Sequence, residues 1–422
     1  MIQLSSFVLL FAAWSGVAHA TQIQSKDYPF PYNEPLLPSV TFALIRPAVD
    51  SLQVRTLSLK PERKKIAVLG EFADFRYGVY VQKGKDVRNA PVILYLSGIG
   101  GTFQGGGNKF ITQSLYESGF NVISIDSNFF FTRILSLSRD GYPGYLPDDA
   151  EDLYPILHQI LEDFRKTYQT GFGDVHIMGL SMGALESAHI SRMDREKKLL
   201  GIKKTVMLNP PASLRYALKV LDAFYAVGDN WSYEYKQRVM GYVIDTALNN
   251  IDNPNAIMSL NKILKLSEPQ VQYLIGKSFR ETLRDAIITS QQIDDRGILK
   301  GPYTELLRNE RTEEANAFSF AQYVEEFLYP IVLKRHSAET SQLQSSRDLF
   351  ARADMTDLEP YMRENPNLYV ITNADDMVLR STDPAYLEDI LKERLILFPL
   401  GGHCGNVWHP LNQAQLIKVL KN

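Results

Sequence analysis

The sequence predicts an α/β fold, a mostly parallel sheet with helices on both faces and one large helical insertion. Two observations predict it. Short apolar runs alternate with helical segments at both ends of the chain, and that rhythm is absent between residues 212 and 365. After an aromatic, proline-rich entry (Tyr28-Pro29-Phe30-Pro31-Tyr32), the first apolar run is Pro91 to Leu96, ending in Ser97-Gly98-Ile99-Gly100-Gly101. Asn121 to Asp126 is the second. A helical pattern from Asp148 to Tyr168 places Leu153, Leu157, Ile160, Leu161 and Phe164 on one face, with acidic residues at its positive end. Val175 to Met178 and Thr205 to Leu208 read as strands on either side of a further helix. Runs this short and this apolar, with helices between them, indicate strands buried on both faces.

From Ala212 to Asn365 the periodicity is helical, as in Tyr216 to Leu221 and Phe320 to Val324. Strands return at Leu368 to Thr372 and Leu395 to Phe398, and a helix from Leu411 to Leu420 closes the chain. The expected organisation is therefore a signal peptide at 1–20, a core of 21–211 and 366–422, and a helical cap at 212–365. An insertion at this point lies over the carboxyl ends of the strands, where open α/β sheets bind ligands. A lid is the first reading, and a separate helical domain is the alternative.

Composition narrows the classes of function. With 45% hydrophobic and 22% charged residues the chain is not of the disordered type. A net charge of -3 with mixed signs excludes a basic stripe for nucleic acid. Phe7 to Val17 is apolar and is followed by Ala18-His19-Ala20, the small-x-small pattern of a cleavage site. That run is too short to span a bilayer comfortably, and no later segment is long and apolar enough, so the mature chain is expected to carry no stable transmembrane segment. Cys404 is the only cysteine, which rules out an internal disulfide and fits a bacterial periplasm, with secretion as the alternative. Neither a metal nor a cofactor is expected. No H-E-x-x-H occurs, Lys109 follows Asn108 rather than the glycine of a P-loop, and Phe103 stands where a dinucleotide fingerprint needs glycine.

The chemistry concentrates at strand ends. Gly179-Leu180-Ser181-Met182-Gly183 matches G-x-S-x-G between a strand and a helix. That setting holds a serine on a strained turn, with its Oγ projecting from the sheet edge. A serine needs a base, and the base needs an orienting acid. Strand 368–372 runs into Asn373-Ala374-Asp375-Asp376, and strand 395–398 runs into Pro399-Leu400-Gly401-Gly402-His403. His403 is thus the expected base, preferred over His409 before Pro410 and over His158, His176, His189 and His336. Asp376 is the preferred acid, with Asp375 the alternative. The oxyanion donors are expected to be the backbone N–H of Met182 and that of Ile99 or Gly100. Cys404 lacks a strand–turn–helix setting and reads as a small buried side chain.

Taken together, Leu96 to Gly101, Gly179 to Gly183, Asn373 to Val378 and Gly401 to Gly405 resemble the α/β-hydrolase superfamily, closest to its esterase and lipase-like branch. The resemblance covers about residues 85–211 and 366–422 but not the insertion. Ser97 stands where relatives often have histidine. It implies a serine hydrolase working through an acyl-enzyme, with an ester substrate that is small or lipid-like. Fold and side chains do not choose among ester, thioester and amide. Two other functions fit the same sequence: a peptidase or amidase acting on cell-envelope material, and a binding protein on the same scaffold. Oligomeric state is not legible.

Overall fold

The computed structural model describes residues 20–57, 59, 74–84, 88–169, 171–250, 262–301, 308–337 and 343–422. Of the signal peptide expected at 1–20, residues 1–19 lie outside the described residues. The first part of the chain gives β1 (Thr21–Gln22), α1 (Leu36–Leu44), β2 (Gln53–Leu57), β3 (Phe75–Tyr80), β4 (Val92–Leu96), α2 (Gly106–Glu117), β5 (Asn121–Ile125), α3 (Phe131–Ser136), α4 (Leu146–Tyr168), β6 (Val175–Leu180), α5 (Met182–Lys197) and β7 (Ile202–Leu208). The insertion follows as α6 (Leu214–Ala226), α7 (Tyr233–Asn249), α8 (Glu268–Ile293), α9 (Arg308–Ala317), α10 (Phe320–Gln322), a π-helical stretch (Tyr323–Leu328), α11 (Tyr329–Arg335), α12 (Ser346–Ala353) and α13 (Met355–Glu364). Then come β8 (Leu368–Asn373), α14 (Asp383–Leu391), β9 (Leu395–Phe398) and α15 (Pro410–Lys421).

The nine strands form one sheet in the order β1-β9-β8-β7-β6-β4-β5-β3-β2. Pairings are parallel except β2 with β3 and β3 with β5. All five residues of β4 are buried, as are those of β5 and β6, which explains their unbroken apolar runs. The chain leaves β4 for β5 on one side, then crosses by α4 to β6 on the other. Strand order therefore reverses at β4, and the crevice beyond the ends of β4 and β6 is a topological switch point.

Helix α4 buries Leu153, Leu157, Ile160, Leu161 and Phe164 against the sheet. Each such side chain contributes about 1.5–3 kcal/mol of burial free energy. On the opposite face, one apolar cluster runs from Tyr95 and Met178 in the sheet through Leu214 and Leu221 to Ile275, Ile287 and Phe327 in the insertion. Polar ties join the same two parts. Arg335 pairs with Asp140 and Asp148, and His336 Nε2 lies 2.9 Å from Asp148 Oδ1. Within the core, Arg133 of α3 pairs with Glu186 of α5 and also donates to the Asp126 carbonyl at 3.1 Å. Both side chains are buried, so each charge is balanced only by protein groups.

Strands β1, β2 and β3 were not legible as strands in the sequence. β1 is two residues long, and β2 is half-exposed with a polar pattern (QVRTL). Among the described residues no helix is long and apolar enough to cross a membrane, and no cluster of side chains could hold a metal ion.

Candidate active site

Ser181 is the residue between β6 and α5, and its backbone sits at φ 54°, ψ -120°. A non-glycine residue in that region stores roughly 1–3 kcal/mol of strain, which only surrounding packing can hold. The flanking glycines are required by that packing. A Cβ on Gly179 would overlap the Gly183 carbonyl, and one on Gly183 would lie 2.5 Å from the Ser97 carbonyl oxygen. Gly98 is equally close, since a Cβ there would stand 3.0 Å from the Ser181 Cβ. The β4 loop is thereby pressed against the serine.

His403 follows β9 in a loop, and its Nε2 lies 2.9 Å from Ser181 Oγ. Its Nδ1 lies 2.9 and 3.0 Å from the two oxygens of Asp376, which follows β8. A carboxylate on Nδ1 keeps the proton there, and Nε2 is left to accept from the serine hydroxyl. Burial pushes the His403 pKa down, but the adjacent Asp376 charge outweighs it, and the net position is well above an ordinary imidazole. Of the described histidines, His403 is the one within hydrogen-bond distance of Ser181.

The two aspartates divide their work. Asp376 Oδ1 also accepts from Val378 N–H at 3.0 Å, and Oδ2 accepts from Asn209 Nδ2 at 3.0 Å. Asp375 turns instead to the histidine loop, accepting from the N–H of Gly402 at 2.9 Å and of Gly401 at 3.2 Å. Burial raises the Asp375 pKa to about 6. Gly401 and Gly402 have φ of 152° and 56°, which is why the loop needs glycine there. Three further residues brace the loop and were missed in the sequence. The His403 N–H donates to Ser39 Oγ at 2.8 Å, and Asn373 donates to the Gly402 carbonyl at 2.7 Å while exchanging amide hydrogen bonds with Asn406. Asn209, at the end of β7, had a usable signal: a polar residue closing a strand on the Ser181 edge.

The N–H of Met182 is in the first turn of α5 and has no intrahelical acceptor. Among the described residues, no backbone carbonyl accepts from the N–H of Ile99 or Gly100, whereas Gly101 N–H is used by the Gly98 carbonyl at 2.8 Å. The remaining histidines lie apart. His409 caps α15, its Nδ1 accepting from Leu411 N–H at 3.2 Å. His176 is buried in β6, and burial lowers its pKa to about 4. His189 is buried in α5 and lowered by burial to about 3, His336 pairs with Asp148, and His158 sits on α4. Burial raises the Cys404 thiol, which keeps it protonated and a poor nucleophile.

One space opens onto this constellation. An open cleft of about 420 Å³ is lined by Ser181, His403, Cys404 and the loop from Gly98 to Thr102. A separate apolar void of about 20 Å³ lies beyond Ile99, walled by Met182, Phe129, Leu214, Leu218 and Tyr323, and neither Ser181 nor His403 lines it.

A sheet of this order, with a serine on a strained strand-to-helix turn facing histidine and aspartate from later strand ends, is the α/β-hydrolase fold. Solved structures with which it aligns include a hyperthermophilic esterase from the archaeon Pyrobaculum calidifontis, at 13% identity and a TM-score of 0.41 over 91% of this chain and 85% of that one. A brefeldin A esterase, described as a bacterial homologue of human hormone sensitive lipase, aligns at 14% identity and 0.41 over 91% and 81%. A membrane phospholipase A described as a bacterial virulence factor aligns at 13% and 0.41 over 92% of each chain. No family model and no curated protein matches the sequence.

Proposed function

We propose that this chain is an exported serine hydrolase that cleaves carboxylic esters through an acyl-enzyme on Ser181. The observation that carries the reading is the hydrogen-bonded chain from Ser181 Oγ through His403 to Asp376 at the floor of an open cleft. His403 Nε2 takes the serine proton as Oγ attacks the ester carbonyl, and Asp376 balances the imidazolium that forms. The N–H of Met182, with that of Ile99 or Gly100, receives the negative oxygen; each such donor is worth about 10²–10³ in rate. His403 then hands its proton to the leaving alcohol, and water repeats the sequence in reverse to free the acid.

That proton transfer orients the ester. The alcohol must leave on the side where Nε2 stands, which is the open cleft. The acyl group then lies on the far side of the carbonyl from Nε2. Export rests on Phe7 to Val17 and Ala18-His19-Ala20 alone.

The test is labelling of the purified protein with a fluorophosphonate, beside Ser181→Ala and His403→Ala. Wild type is expected to label on Ser181, the serine variant not at all, and the histidine variant far more slowly, with turnover on ester substrates reduced by about 10⁴–10⁶ in either variant. A folded wild type that neither labels nor hydrolyses esters rejects the reading. N-terminal sequencing of the exported chain, expected to begin at Thr21, tests the leader.

A further inference from the structure

We propose that the cleft selects esters whose alcohol carries an anionic group, a carboxylate or a phosphate, held by the guanidinium of Arg46. This rests on the serine-hydrolase reading and on the assignment of the cleft to the leaving alcohol. Arg46 follows α1 and lines the same cavity as Ser181 and His403. Among the described residues that line it, only Arg46 and the His403 imidazole can carry a positive charge; the others are apolar, hydroxyl, thiol or amide groups, and none is a carboxylate.

The guanidinium is held in place. Its Nη1 donates to the carbonyls of Ala43 at 2.9 Å and Ile45 at 2.7 Å, which also closes the end of α1. These contacts set it across the start of α2, where a Cβ on Gly106 would collide with it. Gly105, Gly106 and Gly107 pave that part of the cleft, so a ligand meets backbone rather than side chains. The positive end of α2 adds to the Arg46 charge there instead of opposing it.

Charge balance separates Arg46 from its neighbours. Lys109, on the same helix start, is already paired with Asp50 at 2.6 Å. Among the described residues no carboxylate lies within ion-pair distance of Arg46, and its recorded partners are two carbonyls. An anion on the bound alcohol would supply the missing counter-charge, and the fork of Nη2 and Nε suits carboxylate or phosphate geometry. Arg46 is exposed, which makes the effect modest and dependent on salt.

The experiment compares kcat/KM for two pairs of esters sharing a butyryl group: 4-carboxyphenyl against 4-carbamoylphenyl butyrate, and 1-butyrylglycerol 3-phosphate against 1-butyrylglycerol. At low salt the wild type should prefer the anionic member of at least one pair by about three- to tenfold. The pair with the larger preference tells carboxylate from phosphate. Preference should shrink at high salt, fall to near one in Arg46→Gln and survive in part in Arg46→Lys. Equal rates within both pairs in wild type overturn the inference, as does a wild-type preference that persists in Arg46→Gln. So does a parallel fall of both members with a lowered melting temperature, which would mark Arg46 as a cap for α1 alone. Hydrolysis of none of the four esters, without labelling of Ser181, rejects the hydrolase reading and this inference with it.

Discussion

Replacing Gly183 by alanine tests whether the elbow's close packing sets the chemistry as well as the fold. The new Cβ would stand 2.5 Å from the Ser97 carbonyl oxygen, 2.6 Å from that of Leu96 and 3.0 Å from the Leu96 carbonyl carbon. Ordinary contact begins at 3.4 Å, so the start of α5 and the end of β4 must part by about 0.9 Å (3.4 − 2.5). All three obstacles are backbone in buried elements, and no rotamer change relieves them. Overpacking of this kind costs about 1–3 kcal/mol of stability. The functional cost is expected to be larger in proportion. Met182 N–H moves with α5, the N–H groups of Ile99 and Gly100 move with the β4 loop, and the negative oxygen has to bridge them. A displacement near one ångström at reacting groups lowers rates by about 10²-fold. The assay is kcat/KM on a butyrate ester, beside urea unfolding followed by circular dichroism. Gly241→Ala is the control: that glycine lies in α7 with open space around it, and alanine should stabilise by about 0.5–1 kcal/mol without changing turnover. Activity of Gly183→Ala within about twofold of wild type would refute the proposed coupling of elbow and loop.

Asp376→Asn should lower kcat by about 10³–10⁴-fold by releasing the His403 tautomer. In wild type, kcat/KM should fall as pH drops through the raised His403 pKa, above the range of a free imidazole. Without the Asp376 charge, burial dominates and this acid limb should move to lower pH; a limb that stays in place refutes the assignment. Asp375→Asn should leave the limb where it is and lower kcat by a smaller factor, because Asp375 holds the amides of Gly401 and Gly402 and not the imidazole. Stability runs the other way from activity at His403: a folded pKa above the unfolded one contributes fully below the unfolded value and is lost as pH rises through the folded value. Glu186→Ala leaves the buried Arg133 guanidinium without its carboxylate and should cost about 3–5 kcal/mol in urea unfolding, with Glu186→Gln losing less. A loss below about 1 kcal/mol would mean that water reaches Arg133.

The sequence by itself determined the fold class and the order along the chain of the residues that form the candidate site. Both are written in local signals: the apolar runs of β4, β5 and β6, the glycines on either side of Ser181, and polar clusters closing β8 and β9. Such signals survive because sheet-centre strands must be apolar on both faces and a strained turn admits only glycine beside it. β1 and β2 escaped detection because edge strands are short or half-solvated and carry no such demand, and β3, an inner strand buried at five of its six positions, escaped because Arg76 and Gly78 interrupt its apolar run. The sequence preferred Asp376 to Asp375 as the partner of His403 but left both open, and the contact itself is a matter of tertiary structure. Neighbouring residues on a turn point in different directions, and only the packing of Asn209, Val378 and the His403 loop selects between them. Tertiary structure also decided that Arg133 and Glu186, 53 residues apart, share one buried pair. Likewise it brought Arg46 and Ser181 to one cleft although 135 positions (181 − 46) separate them. Contacts of that range depend on strand order and helix crossing, quantities that no local window of sequence contains.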